Sequence, residues 1–211
     1  MIRILIADDH AMVRRGIAQL LSETFRASHF GEAASAADAL NMVTREKWNL
    51  MILDIGLPGR SGLDVLRELK GLQGVPAVIV YTMYPEDQFA LRAIKAGAAA
   101  YLTKLAPPEE LTLAARKVLR GGRYISDAVA EMLAGYVDEG NSPRLHDHLS
   151  DREFSVLRML ASGKTVKQTA GELALSDKTV STYRARILQK THTHTTADLI
   201  RYALVHNLLE S

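Results

Sequence analysis

The 211-residue chain has no cysteine, which excludes disulfide staples and thiolate metal sites. Long apolar runs are missing as well, and none approaches the roughly 20 residues that a bilayer-spanning helix requires. Asp8, Asp9 and His10 interrupt the first apolar stretch where the core of a signal peptide would continue. A cytoplasmic protein with no membrane association is the expectation that fits. There is no low-complexity tract and no internal repeat. Large net charge is absent too, but the total of +2 hides an asymmetry. Residues 1–148 hold 17 Lys and Arg against 18 Asp and Glu, whereas residues 149–211 hold 9 against 6. A mildly acidic front and a basic back suggest two jobs, the second on a polyanion.

The first 120 residues alternate strand-like and helix-like patterns. Apolar runs at 2–7, 29–33, 49–54, 77–82 and 99–104 read as strands. Helical stripes follow each one: Val13, Ile17, Leu20 and Leu21; a helix opening at Ser35; Ser61 to Leu72; Glu86 to Ala96; and a helix opened by Pro107 and Pro108 that runs through Leu119. Five β–α units predict a doubly wound parallel sheet, with ligands beyond the carboxyl ends of the strands. Gly121-Gly122 ends this domain. A short helix from Asp127 to Tyr136 and a polar linker at 138–148 follow. The domain bounds are therefore 1–120, 121–148 and 149–211.

The strand ends carry the chemistry. Asp8 and Asp9 close the first strand, Asp54 the third, Thr82 the fourth and Lys104 the fifth. An aspartate after a strand is ordinarily a turn or cap residue. Five such groups on one rim are a different matter. Three gathered carboxylates repel and require a cation, and an oxygen-only donor set without His or Cys suits Mg²⁺. Lys104 supplies a second positive charge and Thr82 a hydroxyl donor. These parts suit phosphoryl transfer onto the Asp54 carboxylate.

After residue 148 only helical patterns remain, at about 150–162, 166–173, 177–190 and 196–206. Ser150 with Glu153 spells a capping box before Phe154, and Ser176 caps the third helix. With Val180 and Ile187 inward, that helix shows hydroxyl and basic side chains on its other face, the form of a helix-turn-helix.

Residues 1–120 resemble the receiver domain of two-component response regulators, through IRILIADDH, LDIGLPGRSGLD around Asp54, Thr82 and GAAAYLTKLAPPEEL around Lys104. Residues 149–206 resemble the four-helix LuxR-type domain of the NarL/FixJ regulators. The resemblance implies a flavodoxin-like receiver fold in which Asp54 accepts a phosphoryl group from a sensor histidine kinase. It implies Mg²⁺ on Asp9, Asp54 and the Gly56 carbonyl, with Asp8 acting largely through water. Thr82 and Lys104 would contact the phosphoryl oxygens, and Tyr101 would turn inward with Thr82. In the third C-terminal helix Ser181, Thr182 and Ala185 become base-facing candidates. Lys178, Thr179, Arg184, Arg186 and Lys190 become phosphate or rim candidates. Leu199, Tyr202 and Ala203 on the last helix become candidates for pairing two copies on palindromic half-sites of double-stranded DNA.

The chain departs from the family pattern at Gly56 and Leu105 beside the acidic rim, and at Thr169, Thr191, His192 and Thr193 in the basic half. The histidines of 146–148 and 192–195 are only H-x-H pairs, too few for zinc. Two other readings share part of this pattern. An aspartyl-phosphate phosphatase needs an acid two residues after the nucleophile, where Gly56 stands. A receiver acting through protein contacts without phosphorylation or strong DNA binding would share every residue of the rim.

Overall fold

A computed structural model describes residues 1–26, 28–58, 60–138, 145–173, 175–206 and 208–209. The chain divides into two compact units, Met1–Glu139 and Gly140–Ser211.

The first unit holds strands β1 (Ile2–Ala7), β2 (Ser28–Ala33), β3 (Leu50–Leu53), β4 (Ala77–Thr82) and β5 (Ala100–Thr103). Between and after them run α1 (Ala11–Thr24), α2 (Ala36–Arg45), α3 (Gly62–Lys70), α4 (Glu86–Ala96), α5 (Pro108–Leu119) and α6 (Asp127–Asp138). All strand pairs are parallel, in the order β2-β1-β3-β4-β5. Because successive side chains alternate, Ile4, Ile6, Leu50, Ile52 and Ile79 pack with Ile17 and Leu21 of α1 and with Leu111, Ala114, Ala115 and Val118 of α5. Leu5, Met51, Leu53, Val78 and Val80 are buried on the opposite face. Coverage on both faces explains why the strands read as continuous apolar runs. The strand order reverses between β1 and β3, and their carboxyl ends open the crevice that holds the acidic rim. At the other pole the single tryptophan, Trp48, is buried with its ring on Gly31. Arg3 stands 4.9 Å above that ring and His29 stacks beside it.

The first unit does not stop at Gly122. Tyr124 N–H donates to Ala99 O at 3.0 Å and bridges to Ala100, adding to the β5 edge. The Ser126 hydroxyl donates to Glu86 at the start of α4 and accepts from Val129 N–H at 3.3 Å, so one side chain ties α6 to α4 and caps α6. Val129 is buried.

The second unit holds a 3₁₀ turn at Leu145–His148, then α7 (Asp151–Ala161), α8 (Val166–Glu172), α9 (Asp177–Lys190) and α10 (Thr196–Val205). Most of the linker expected at 138–148, residues 139–144, lies outside the described residues. Its end is packed rather than loose, because His146 is buried, with Nδ1 3.1 Å from the Tyr202 hydroxyl. The Ser150/Glu153 capping box is present, and Thr165/Gln168 and Thr195/Asp198 repeat it at α8 and α10.

Helices α4, α5, α7 and α9 share one closure, a left-handed residue followed by an N–H that reaches back to the last full turn. Gly97, Gly121 and Gly163 take that conformation in the first three. In α9 it falls to His192, at φ 53°, followed by Thr193 N–H to Leu188 O at 3.0 Å.

Candidate functional site

Asp54 follows β3 directly, held to β1 by its N–H to Ala7 O at 2.9 Å. The loop after it folds back so that Gly62 N–H reaches Ile55 O at 3.0 Å (Gly59 lies outside the described residues). A Cβ on Gly62 would come 2.2 Å from Asp54 O, so only glycine permits this approach. The Asp54 backbone is therefore clamped from two sides.

Asp8 and Asp54 are 2 % and 6 % exposed and Thr82 is fully buried. Lys104 Nζ donates to Asp8 Oδ2 at 2.5 Å and to Asp54 Oδ2 at 2.7 Å. The other oxygen of Asp54 accepts from the Thr82 hydroxyl at 2.6 Å and from Gly56 N–H at 3.0 Å. Burial works against the Lys104 charge, but the hydrogen bonds to Asp54 and Asp8 outweigh it and hold the amine above the ordinary lysine value. One cation thus serves two buried carboxylates, leaving a net negative pocket.

Asp9 stands at the mouth, exposed, with Oδ1 2.7 Å from His10 Nδ1. Asp8, Asp9 and His10 offer ligand atoms within 4.8 Å of one another. The carboxylate donors fit a hard divalent cation, and the excess negative charge gives it a reason to bind. Gly56 meets Asp54 through its N–H, and the side chain of Leu105 lies out in solvent. Tyr101 is buried, with its hydroxyl donating to Tyr84 O at 2.9 Å. Burial first, and the nearby Glu86 and Asp54 carboxylates second, push that phenol upward. Asp8, Asp54, Thr82 and Lys104 therefore form one connected cluster, and Tyr101 joins it through Tyr84, whose N–H donates to the Thr82 hydroxyl oxygen at 3.4 Å.

In the second unit the α9 candidates separate. At about 100° per residue, Lys178, Ser181, Thr182, Ala185 and Arg186 fall on one stripe with Gln189. All six are exposed. Thr179 and Arg184 are half-buried on the flanks, Arg184 donating from Nε to Thr196 at 2.9 Å. Lys190 donates to the buried Glu153 carboxylate at 2.7 Å instead of standing free. Gln189 and the Glu153–Lys190 pair escaped the sequence reading. The spacing 178, 182, 185, 189 carries the first, whereas nothing local signals the second.

Of the pairing residues expected on α10, two turn inward. Leu199 and Ala203 are fully buried in the unit's own core, and Tyr202 is half-buried against His146. Leu204 and Val205 are the large apolar side chains exposed on that helix. Periodicity marks an apolar stripe but cannot separate the face turned to the core from one turned to a partner. Thr191, unusual in sequence, is satisfied by Ile187 O at 2.8 Å. Thr169 is fully buried and its hydroxyl has no partner among the described residues.

Two family models match. Residues 4–116 match the response regulator receiver domain, and residues 147–203 match the luxR family of bacterial regulatory proteins. The chain is 36 % identical to the response regulator GacA of Pseudomonas aeruginosa, over 100 % of this chain and 99 % of that protein. It is 32 % identical to the response regulator UvrY of Escherichia coli K12, over 99 % and 96 %. Among solved structures it resembles RcsB of Salmonella enterica serovar Typhimurium, solved on the rprA promoter with the phosphomimetic BeF₃⁻. That match has a TM-score of 0.59 and 23 % identity over 95 % of this chain and 97 % of that one, a likeness of fold.

Proposed function

The chain belongs to the response regulator receiver family and carries a C-terminal domain of the luxR family, and from that membership we propose that phosphorylation of Asp54 controls its binding to DNA. The observation that carries the reading is the Asp54 carboxylate, buried and bound by Lys104 through one oxygen and by Thr82 and Gly56 N–H through the other. In the transfer, an Asp54 oxygen forms a bond to phosphorus as the phosphorus–nitrogen bond of a kinase phosphohistidine breaks, and the imidazole leaves with the electron pair. Lys104 meets the phosphoryl oxygens as a point charge and Thr82 donates its hydroxyl to one of them. Asp8, Asp9 and Asp54, with the Gly56 carbonyl, would hold Mg²⁺, which supplies charge neutralisation for the incoming phosphoryl group.

Thr82 links the acceptor to the start of α4, because its hydroxyl oxygen accepts Tyr84 N–H at 3.4 Å, Tyr101 donates its hydroxyl to Tyr84 O, and Glu86 of α4 accepts the Ser126 hydroxyl. A phosphoryl group that re-engages Thr82 would shift this face and α6 with it. The second unit reads DNA through the α9 stripe, with Ser181, Thr182 and Ala185 toward bases and Lys178 and Arg186 toward phosphates. Pairing of copies uses the exposed Leu204 and Val205 of α10. The protein acts in the cytoplasm as a phosphoacceptor and does not turn over substrate.

Incubation with acetyl phosphate and Mg²⁺ is expected to add one phosphoryl group, about 80 Da, to the wild type and none to Asp54→Asn. The phosphorylated wild type is expected to bind promoter DNA more tightly than Asp54→Asn. Equal, saturable affinity in the two would sink control by phosphorylation.

A further inference from the structure

Lys190 ends the DNA-facing helix with a charge that invites assignment to a phosphate, yet three observations turn it elsewhere. The first is direction: it lies about 110° around α9 from the centre of the exposed stripe. The second is occupation. Its Nζ donates to Glu153 Oε2 at 2.7 Å and to His148 O at 3.3 Å, so one ammonium joins the end of α9, the first turn of α7 and the 3₁₀ turn before it. The third is the partner. The Glu153 side chain is 3 % exposed and also accepts Ser150 N–H at 2.7 Å as half of the α7 capping box. Burial raises the affinity of this carboxyl for a proton, but Lys190 and Ser150 together overcome that and hold it below the ordinary glutamate range. A buried carboxylate that lost Lys190 would keep its desolvation cost without its counter-charge.

We propose that Glu153 and Lys190 are a positioning pair that sets the rotation of α9 about its own axis, and that Lys190 makes no phosphate contact. Val180 and Ile187 anchor α9 by apolar packing, which is non-directional. The ion pair adds a directional anchor at the end of the helix. A turn of α9 would move the short side chains of Ser181, Thr182 and Ala185 off whatever bases they face, whereas the long, flexible side chains of Lys178 and Arg186, turned by the same angle, can still reach the backbone. The pair therefore governs discrimination between sequences rather than attraction to DNA. This inference rests on the reading of α9 as the DNA-facing helix.

The test uses the full-length protein and two duplexes, one enriched from a random-sequence pool by the wild type and one scrambled. Binding is measured from about 50 to 200 mM KCl, a range over which each phosphate contact contributes a salt slope of about 0.9. Lys190→Gln and Glu153→Gln are each expected to lose about tenfold or more on the enriched duplex, the scale of a site left loosely held. Neither is expected to change affinity for the scrambled duplex or the salt slope on either. Lys178→Gln is expected to flatten the slope by about 0.9 on both duplexes. If Lys190→Gln flattens the slope as Lys178→Gln does, or leaves both affinities unchanged, the proposal is overturned. The double variant Glu153→Gln with Lys190→Gln restores a neutral hydrogen-bonded pair, and it decides the matter where a single variant does not fold. Recovery of preference for the enriched duplex supports positioning, and a folded double variant without preference overturns it. A wild type that never distinguishes the two duplexes sinks the reading of α9 itself.

Discussion

At the scale of single residues, charge and backbone conformation give the sharpest expectations. Lys104 serves two buried carboxylates, and breaking a buried pair of this kind typically costs about 3 kcal/mol or more. Its proton affinity is raised by folding, so the stabilisation is fully present below the unfolded lysine value of 10.5 and fades as pH climbs through the higher folded value. Lys104→Met is therefore expected to destabilise the first unit at pH 7 by about that amount. The gap from wild type should narrow above pH 10.5, as urea titrations at the two pH values would reveal. His192 pays a steric penalty in its left-handed position that Gly97, Gly121 and Gly163 avoid. His192→Gly is expected to stabilise the second unit by about 1 kcal/mol, read as a higher melting temperature. The position was visible in the sequence, since a glycine is usual there. The rim residues were equally legible, because each sits at a strand end where chain direction alone fixes its place. Partner choice was not. Glu153 and Lys190 stand 37 residues apart and meet only after two helices pack, which no local spacing encodes.

At the scale of elements, the patterns of the strands and helices carried nearly all of the architecture. The strand at 77–82 and the helices at 86–96 and 177–190 stand where the apolar spacing and caps put them. The boundary after α5 was harder. Gly121 does close that helix, yet Tyr124 and Ser126 then rejoin the sheet edge and α4, so α6 belongs to the first unit. A polar or glycine-rich stretch looks the same in sequence whether it departs from a domain or returns to it. Ser126 is the hinge of this return, serving as cap and tie together. Ser126→Ala is expected to cost about 1 kcal/mol locally, as loss of a helix cap usually does. Amides of the first turns of α6 should then exchange with solvent about fivefold faster, a ratio matching that energy. An unchanged exchange rate would mean that Val129 alone holds the helix.

At the scale of the whole molecule, two cores with separate chemistry share one chain. The acidic pocket depends on a sheet packed on both faces, and the basic stripe depends on a small helical core around Leu157, Val180, Ile187 and Leu199. Units of this kind can unfold independently. Light makes the division visible. Trp48, the chain's one indole, lies under Arg3 and beside His29 at the pole of the sheet away from Asp54. Its emission is expected to follow denaturation of the first unit alone, while far-ultraviolet ellipticity follows both, so the two curves should separate. The same chromophore can act as a listener. Linkage is reciprocal, so a phosphorylation that tightens DNA binding obliges DNA to act back on the receiver. Any change in indole emission when a duplex is added would then be that return message, heard without a label from the half of the molecule that carries Asp54.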